Sequence, residues 1–167
     1  MIYLSTPFSR KAADFLDDIG VYAYKIGSGE ADNLPLIRHI AEFGKPIIMS
    51  TGMQTIDTLR QSVDILDDAN IDYALLECTN LYPSPPEMVS LQGIDDLRAA
   101  FPDAVIGFSD HSIGSEMALA SVALGASILE RHFTDTRYRK GPDISCSMDP
   151  SELAWFIERS REIHTAL

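Results

Sequence analysis

The sequence predicts an α/β protein of the parallel (β/α)8 barrel type, incomplete, with about six of the eight βα units. Three observations carry this expectation. Short apolar runs alternate with amphipathic stretches from end to end. The runs begin roughly 20 to 30 residues apart, the span of a right-handed βα unit in a parallel sheet. Nearly every run also ends in a cluster of polar side chains.

The runs are Ile2 to Thr6, Ala23 to Gly27, Pro46 to Ser50, Tyr73 to Cys78, Val105 to Phe108 and Ser127 to His132. Each is too short for a helix and is bounded by Gly, Pro, Asp or Asn, which reads as a buried strand. The intervening stretches, Arg10 to Ile19, Leu34 to Phe43, Ile56 to Ala69, Ile94 to Ala100 and Ser115 to Leu124, have helical periodicity, and Pro150 to Thr165 adds another after the last run. Helix punctuation agrees. Asp110 and Ser112 precede the fifth helix, Gly20 and Gly125 follow the first and fifth, and Asp149-Pro150 reads as an N-cap with proline in the first turn. Asn80 to Gly93, with prolines at 83, 85 and 86, is the long loop.

Periodicity alone fits a doubly wound sheet as well as a barrel, and the strand ends favour the barrel. Ser5-Thr6, Lys25 with Gly27-Ser28-Gly29-Glu30, Ser50-Thr51-Gly52, Glu77 to Asn80, Ser109-Asp110-His111 and Glu130-Arg131-His132 follow six successive runs. In a barrel all such ends meet at one C-terminal face, whereas an open sheet gathers ligands mainly at a switch point.

At 167 residues the chain suits one domain, large enough to bury roughly 70% of its unfolded surface. A formal charge of -12 argues against a nucleic-acid partner. No run of eighteen apolar residues offers a membrane span, and the N-terminus lacks secretory-signal features. Two distant cysteines, Cys78 and Cys146, point to a reduced, cytoplasmic setting.

His111 and His132 end neighbouring runs and make a candidate metal pair, the bland alternative being two structural histidines. His39 and His164 lie on helical stretches and read as structural or solvated. Lys25 sits inside an apolar run, so its charge needs an anion. That anion is a ligand phosphate or carboxylate, or a structural partner such as Glu30 or Glu77; alternatively Lys25 is a Schiff-base nucleophile. Gly27-Ser28-Gly29 and Ser50-Thr51-Gly52 present backbone N–H groups and hydroxyls suited to a phosphate. Thr6, Asn80 and Ser109 extend that ring of polar strand ends.

Six strings occur in order: Leu4 to Ser9 (LSTPFS), Tyr24 to Glu30 (YKIGSGE), Ser50 to Met53 (STGM), Cys78 to Pro83 (CTNLYP), Gly107 to Ser112 (GFSDHS) and Glu130 to Asp135 (ERHFTD). Together they resemble the sialic acid synthases, which condense phosphoenolpyruvate with N-acetylmannosamine or related sugars. The resemblance covers essentially the whole chain. It implies that His111 and His132 bind a divalent ion, usually manganese, with magnesium or cobalt as substitutes. It further implies that Thr6, Lys25, Ser28, Ser50, Asn80 and Ser109 hold phosphoenolpyruvate, that Tyr82 and Asp143 contact the sugar, and that Glu30 is an acid–base or water-holding group. The stretch Gly141 to Pro150 resembles N-acetylneuraminate synthases more than legionaminic or pseudaminic acid synthases.

Family members carry two βα units before the first run found here and an antifreeze-like domain after the barrel, and work as homodimers. By the resemblance, this chain is expected to lack both parts. The expectation is weak or no synthase activity for the polypeptide alone, as a gene fragment, one part of a split enzyme or a chain that assembles with another; a rival reading is a non-catalytic remnant.

Overall fold

A computed structural model describes all residues, 1–167. Its elements alternate as expected: helix α1 (Arg10–Asp18), strand β1 (Tyr24–Ile26), α2 (Leu34–Ala41), β2 (Ile47–Ser50), α3 (Ile56–Asp68), β3 (Tyr73–Cys78), α4 (Gly93–Ala100), β4 (Val105–Asp110), α5 (Glu116–Ala123), β5 (Ile128–Arg131) and α6 (Pro150–Thr165). The strand order is β1-β2-β3-β4-β5. A doubly wound sheet reverses its strand order at a switch point, and this one does not. The architecture is that of an incomplete (β/α)8 barrel, with five strands.

The residues group into two compact units, Met1–Leu75 with Asp103–Val105, and Leu76–Pro102 with Ile106–Leu167. In the first unit β1 pairs in parallel with β2, Tyr24 opposite Ile47 and Ile26 opposite Met49, and all four side chains are fully buried. Burying each such side chain contributes about 1.5–3 kcal/mol. Side chains alternate across a strand, so Lys25, between Tyr24 and Ile26, leaves by the other face. Helix α1 packs on α2 and α2 on α3, and Leu36, Ile37 and Ile40 of α2 and Leu59, Val63 and Leu66 of α3 are buried. Local chemistry sets the helix starts: Asn33 caps α2, and Thr55 with Thr58 forms a reciprocal capping box on α3.

In the second unit β4 pairs in parallel with β5, Gly107 opposite Ile128 and Asp110 opposite Arg131. Gly107 is required by close approach: a Cβ there would lie 2.4 Å from Leu76 Cδ2 and 2.6 Å from the Ile128 carbonyl oxygen. Helix α5 packs on α6, whose start carries the expected Asp149 cap, completed as a box by Glu152.

Two sequence expectations are corrected. Ile2 to Thr6 forms no strand. One backbone bond, Lys25 N–H to the Ser5 carbonyl, links it to β1, while Ile2 and Tyr3 stay about two-thirds exposed, without the burial that a strand of that composition needs. Asp110 and Ser112 do not cap α5. Its N-cap is Ser115, whose side chain makes no cap bond, and Asp110 accepts from the Ser112 N–H instead.

Glu77 of β3 turns its carboxyl toward the start of α4, with Oε2 2.4 Å from where a Cβ on Gly93 would stand. Burial pushes this carboxyl from its ordinary 4.5 up to about 7; the Cys78 backbone hydrogen bond opposes the rise and Asp96 adds to it. Below pH 4.5 both folded and unfolded chains hold the proton, and between 4.5 and about 7 only the folded chain does. Stability is therefore fully present below the unfolded value and falls as pH rises through that window. Glu77→Gln is expected to remove this loss, so its melting temperature gains on the parent between pH 5 and pH 8. Paired thermal melts check this, and equal slopes would refute it.

Candidate active site

The site residues fall into two groups, one in each unit. In the first, the β1–β2 register sets Lys25 diagonally across from Ser50. Lys25 Nζ donates to Ser50 Oγ at 2.7 Å and to the Ile26 carbonyl at 3.0 Å. Ser28 opens a short 3-10 turn (Ser28–Glu30), and its Oγ accepts the Gly52 N–H at 3.1 Å. Gln54 Nε2 reaches the Ser28 carbonyl, which closes the turn against the residues after β2. Ser28, Ser50 and Thr51 are buried. Half-buried Thr6 lies beside Gly27, its methyl 4.0 Å from where a Cβ on that glycine would stand. Each of Ser28 and Ser50 accepts a bond from a neighbour, so its own hydroxyl proton can point to a ligand. One lysine and several donors are chemistry suited to phosphate or carboxylate oxygens. Glu30 stands at the end of the turn, with Oε2 accepting from Asn33 Nδ2 at 2.6 Å.

In the second group the β4–β5 register carries Ser109 opposite Glu130, and Ser109 Oγ donates to Glu130 Oε1 at 3.1 Å. Two residues on, and so on the same face, stand His111 and His132. Their rings meet edge to face with centroids 5.3 Å apart. Tyr82 lies over His111 at 4.0 Å and edge-on to His132 at 5.5 Å. Partial burial, then nearby Cys78, Asp143 and Glu130, push the Tyr82 phenol up to about 12, so it remains a hydrogen-bond donor at neutral pH. Asn80 Oδ1 accepts from the Cys78 thiol at 3.1 Å, and Asp143 Oδ2 lies 3.7 Å from His132 Nδ1. Both cysteines are free and buried.

The imidazoles fit a divalent ion. His111, 4% exposed, donates Nδ1–H to the Thr79 carbonyl at 2.8 Å, which leaves the Nε2 lone pair for a ligand bond. Burial pushes its pKa below the ordinary histidine value, so the ring is neutral, as ligation needs. An ion about 2.1 Å from a nitrogen of each ring tolerates centroids up to roughly 6.5 Å apart; these are 5.3 Å apart. No set of three or more His, Cys, Asp or Glu side chains forms a metal cage, so the pair would leave an ion's other positions open to substrate and water.

His39 and His164 lie elsewhere, on α2 and α6; His39 bonds Asp14 at 2.6 Å and packs on Phe43. Sequence reasoning gave Glu130 and Arg131 no role. The signal for Glu130 was there, since a strand residue two before His132 shares its face. Arg131 had none, because its partners follow from the β4–β5 register.

The NeuB family model matches residues 1–167. Human N-acetylneuraminate-9-phosphate synthase is 38% identical over 167 residues, covering 100% of this chain and 46% of that protein. The N,N'-diacetyllegionaminic acid synthase of Campylobacter jejuni is 38% identical over 168 residues, covering 99% and 50%. The crystal structure of the N-acetylneuraminic acid synthetase of Leptospira borgpetersenii, in complex with citrate, matches with a TM-score of 0.96 at 32% identity, over 99% of this chain and 58% of that one. The chain spans about half the length of the curated relatives it matches. Matched along its whole length in sequence and nearly all of it in fold, the chain belongs to the NeuB family of sialic acid synthases.

Proposed function

We propose that the chain serves N-acetylneuraminate synthesis, the condensation of phosphoenolpyruvate with N-acetylmannosamine and water to give the nine-carbon keto acid and free phosphate. The observation that carries this reading is Lys25 Nζ hydrogen-bonded to Ser50 Oγ at 2.7 Å beside the Ser28 turn. Lys25 Nζ donates to a hydroxyl and a carbonyl at the strand end, a placement suited to holding an anion.

In this reading Lys25, Ser28, Ser50 and Thr6 bind the phosphate and carboxylate of phosphoenolpyruvate, with Asn80 and Ser109 as further contacts. Tyr82 and Asp143 orient the sugar. A divalent ion held by His111 and His132, manganese by the family resemblance, supplies Lewis acidity toward the sugar aldehyde. C3 of phosphoenolpyruvate forms the new bond to the aldehyde carbon, water adds at C2, and phosphate leaves by C–O cleavage. Glu30 would hold or deprotonate that water. Lys25 stabilises the negative charge on the departing phosphate.

Identity to the sialic-type and legionaminic-type relatives is the same, 38%, so the preference for N-acetylmannosamine rests on the Gly141 to Pro150 segment. The test is phosphate release from phosphoenolpyruvate by the purified chain with manganese, run with N-acetylmannosamine, its phosphorylated analogue and a diacetylated dideoxy sugar, beside calorimetry of phosphoenolpyruvate alone. Chelator-sensitive release with N-acetylmannosamine, or phosphoenolpyruvate binding that depends on Lys25, supports the reading. Borohydride trapping of pyruvate on Lys25, with activity indifferent to chelator, would replace it with a Schiff-base aldolase.

A further inference from the structure

Beneath the imidazole pair, on the opposite face of the same two strands, lies an ion pair with no part in the chemistry above. Asp110 and Arg131 face each other in the β4–β5 register, one residue before His111 and His132 respectively. Their side chains are 1% and 5% exposed, and Arg131 Nη1 bonds Asp110 Oδ2 directly. The guanidinium does more than pair. Its Nη2 donates to the Gly114 carbonyl at 2.8 Å, the Ser112 carbonyl at 3.1 Å and, more weakly, the Cys146 carbonyl at 3.4 Å. Asp110 Oδ1 in turn accepts the Ser112 N–H at 2.8 Å. Gly114 adopts φ +87°, a conformation that turns this backbone at little steric cost.

Four pieces of chain are thereby tied to one buried charge pair: the end of β4, the end of β5, the turn after His111, and the turn (Ile144–Cys146) after Asp143. A charge pair this deeply buried is weak evidence for stability, since apolar residues of similar volume often replace one without loss. Its geometry is better evidence. Every segment it holds carries or adjoins a group of the imidazole site: His111, His132 or Asp143.

We propose that Asp110 and Arg131 are positioning residues for the metal pair: the planar fork of Arg131 sets the register and loop geometry that aim the imidazoles of His111 and His132 at a shared ion. The proposal rests on the metal reading above and names what builds that site. Lysine at 131 would keep the charge but lose the fork, which makes Arg131→Lys the informative change.

The test is titration of the purified chain with Co2+, following the d–d absorption bands and the dissociation constant, for the parent, Arg131→Lys, the paired apolar replacement Asp110→Leu/Arg131→Met, and His111→Ala. Circular dichroism and thermal melts run beside it. The expected result is Co2+ affinity about 10- to 100-fold weaker, as for lost outer-shell support, with shifted bands, in whichever of the two clamp variants remains folded, and no specific binding by His111→Ala. Folded clamp variants with the parent's affinity and bands would overturn the proposal while leaving the metal reading intact. A parent that binds no Co2+, or binding that survives in His111→Ala, would overturn both.

Discussion

Replacing Lys25 by methionine is expected to weaken phosphoenolpyruvate binding by about 2–4 kcal/mol, or roughly 30- to 1,000-fold. The side chain would keep its length and much of its apolar stem, and the fully buried Tyr24, Ile26, Ile47 and Met49, on the opposite face, keep their packing. What goes is the one cation in the group, with its bond to Ser50 Oγ. Ser50 and Ser28 alone cannot balance a phosphate that has left water. Calorimetry with phosphoenolpyruvate checks this, with thermal melts as the control. A variant that melts much earlier but binds the ligand unchanged would mean that Lys25 is structural.

His111→Ala and His132→Ala are each expected to lower Mn2+ affinity by more than about 100-fold, beyond the usual cost of losing a mere outer-shell partner. The two changes should differ in stability, which separates ligation from packing. His111 is buried, bonds the Thr79 carbonyl at 2.8 Å and lies under Tyr82. Its removal strands a carbonyl and opens a gap, at a cost of about 1–3 kcal/mol. His132 is only half-buried and should cost less. Calorimetric titration with Mn2+ and differential scanning calorimetry read the two effects apart. An intact ion affinity in either variant would remove that histidine from the site.

Much of the frame was legible in the sequence because it is dictated locally. The runs that became β1 to β5 are apolar and bounded by breakers, and the Asp149-Pro150 start of α6 is capped as its residues require. The site was legible to the extent that it follows from strand ends: Lys25, Ser28 and Ser50 do gather, as do Ser109, His111, His132, Tyr82 and Asp143. Ile2 to Thr6 misled because apolar composition does not guarantee a surface to cover it. Asp110 read as a helix cap because its true partner lies 21 residues away. Only the pairing register brings Arg131 there, and register is a property of two strands together that neither strand spells out alone.

The hydroxyls at the ends of β1 and β2 have a further chemical meaning. Ser28 accepts the Gly52 N–H and Ser50 accepts from Lys25 Nζ, so each hydroxyl keeps its own hydrogen free to rotate toward a ligand. If that rim takes up a phosphate monoester, the lysine and the two hydroxyl hydrogens would favour the doubly deprotonated form, whose extra charge gives each of them a stronger acceptor.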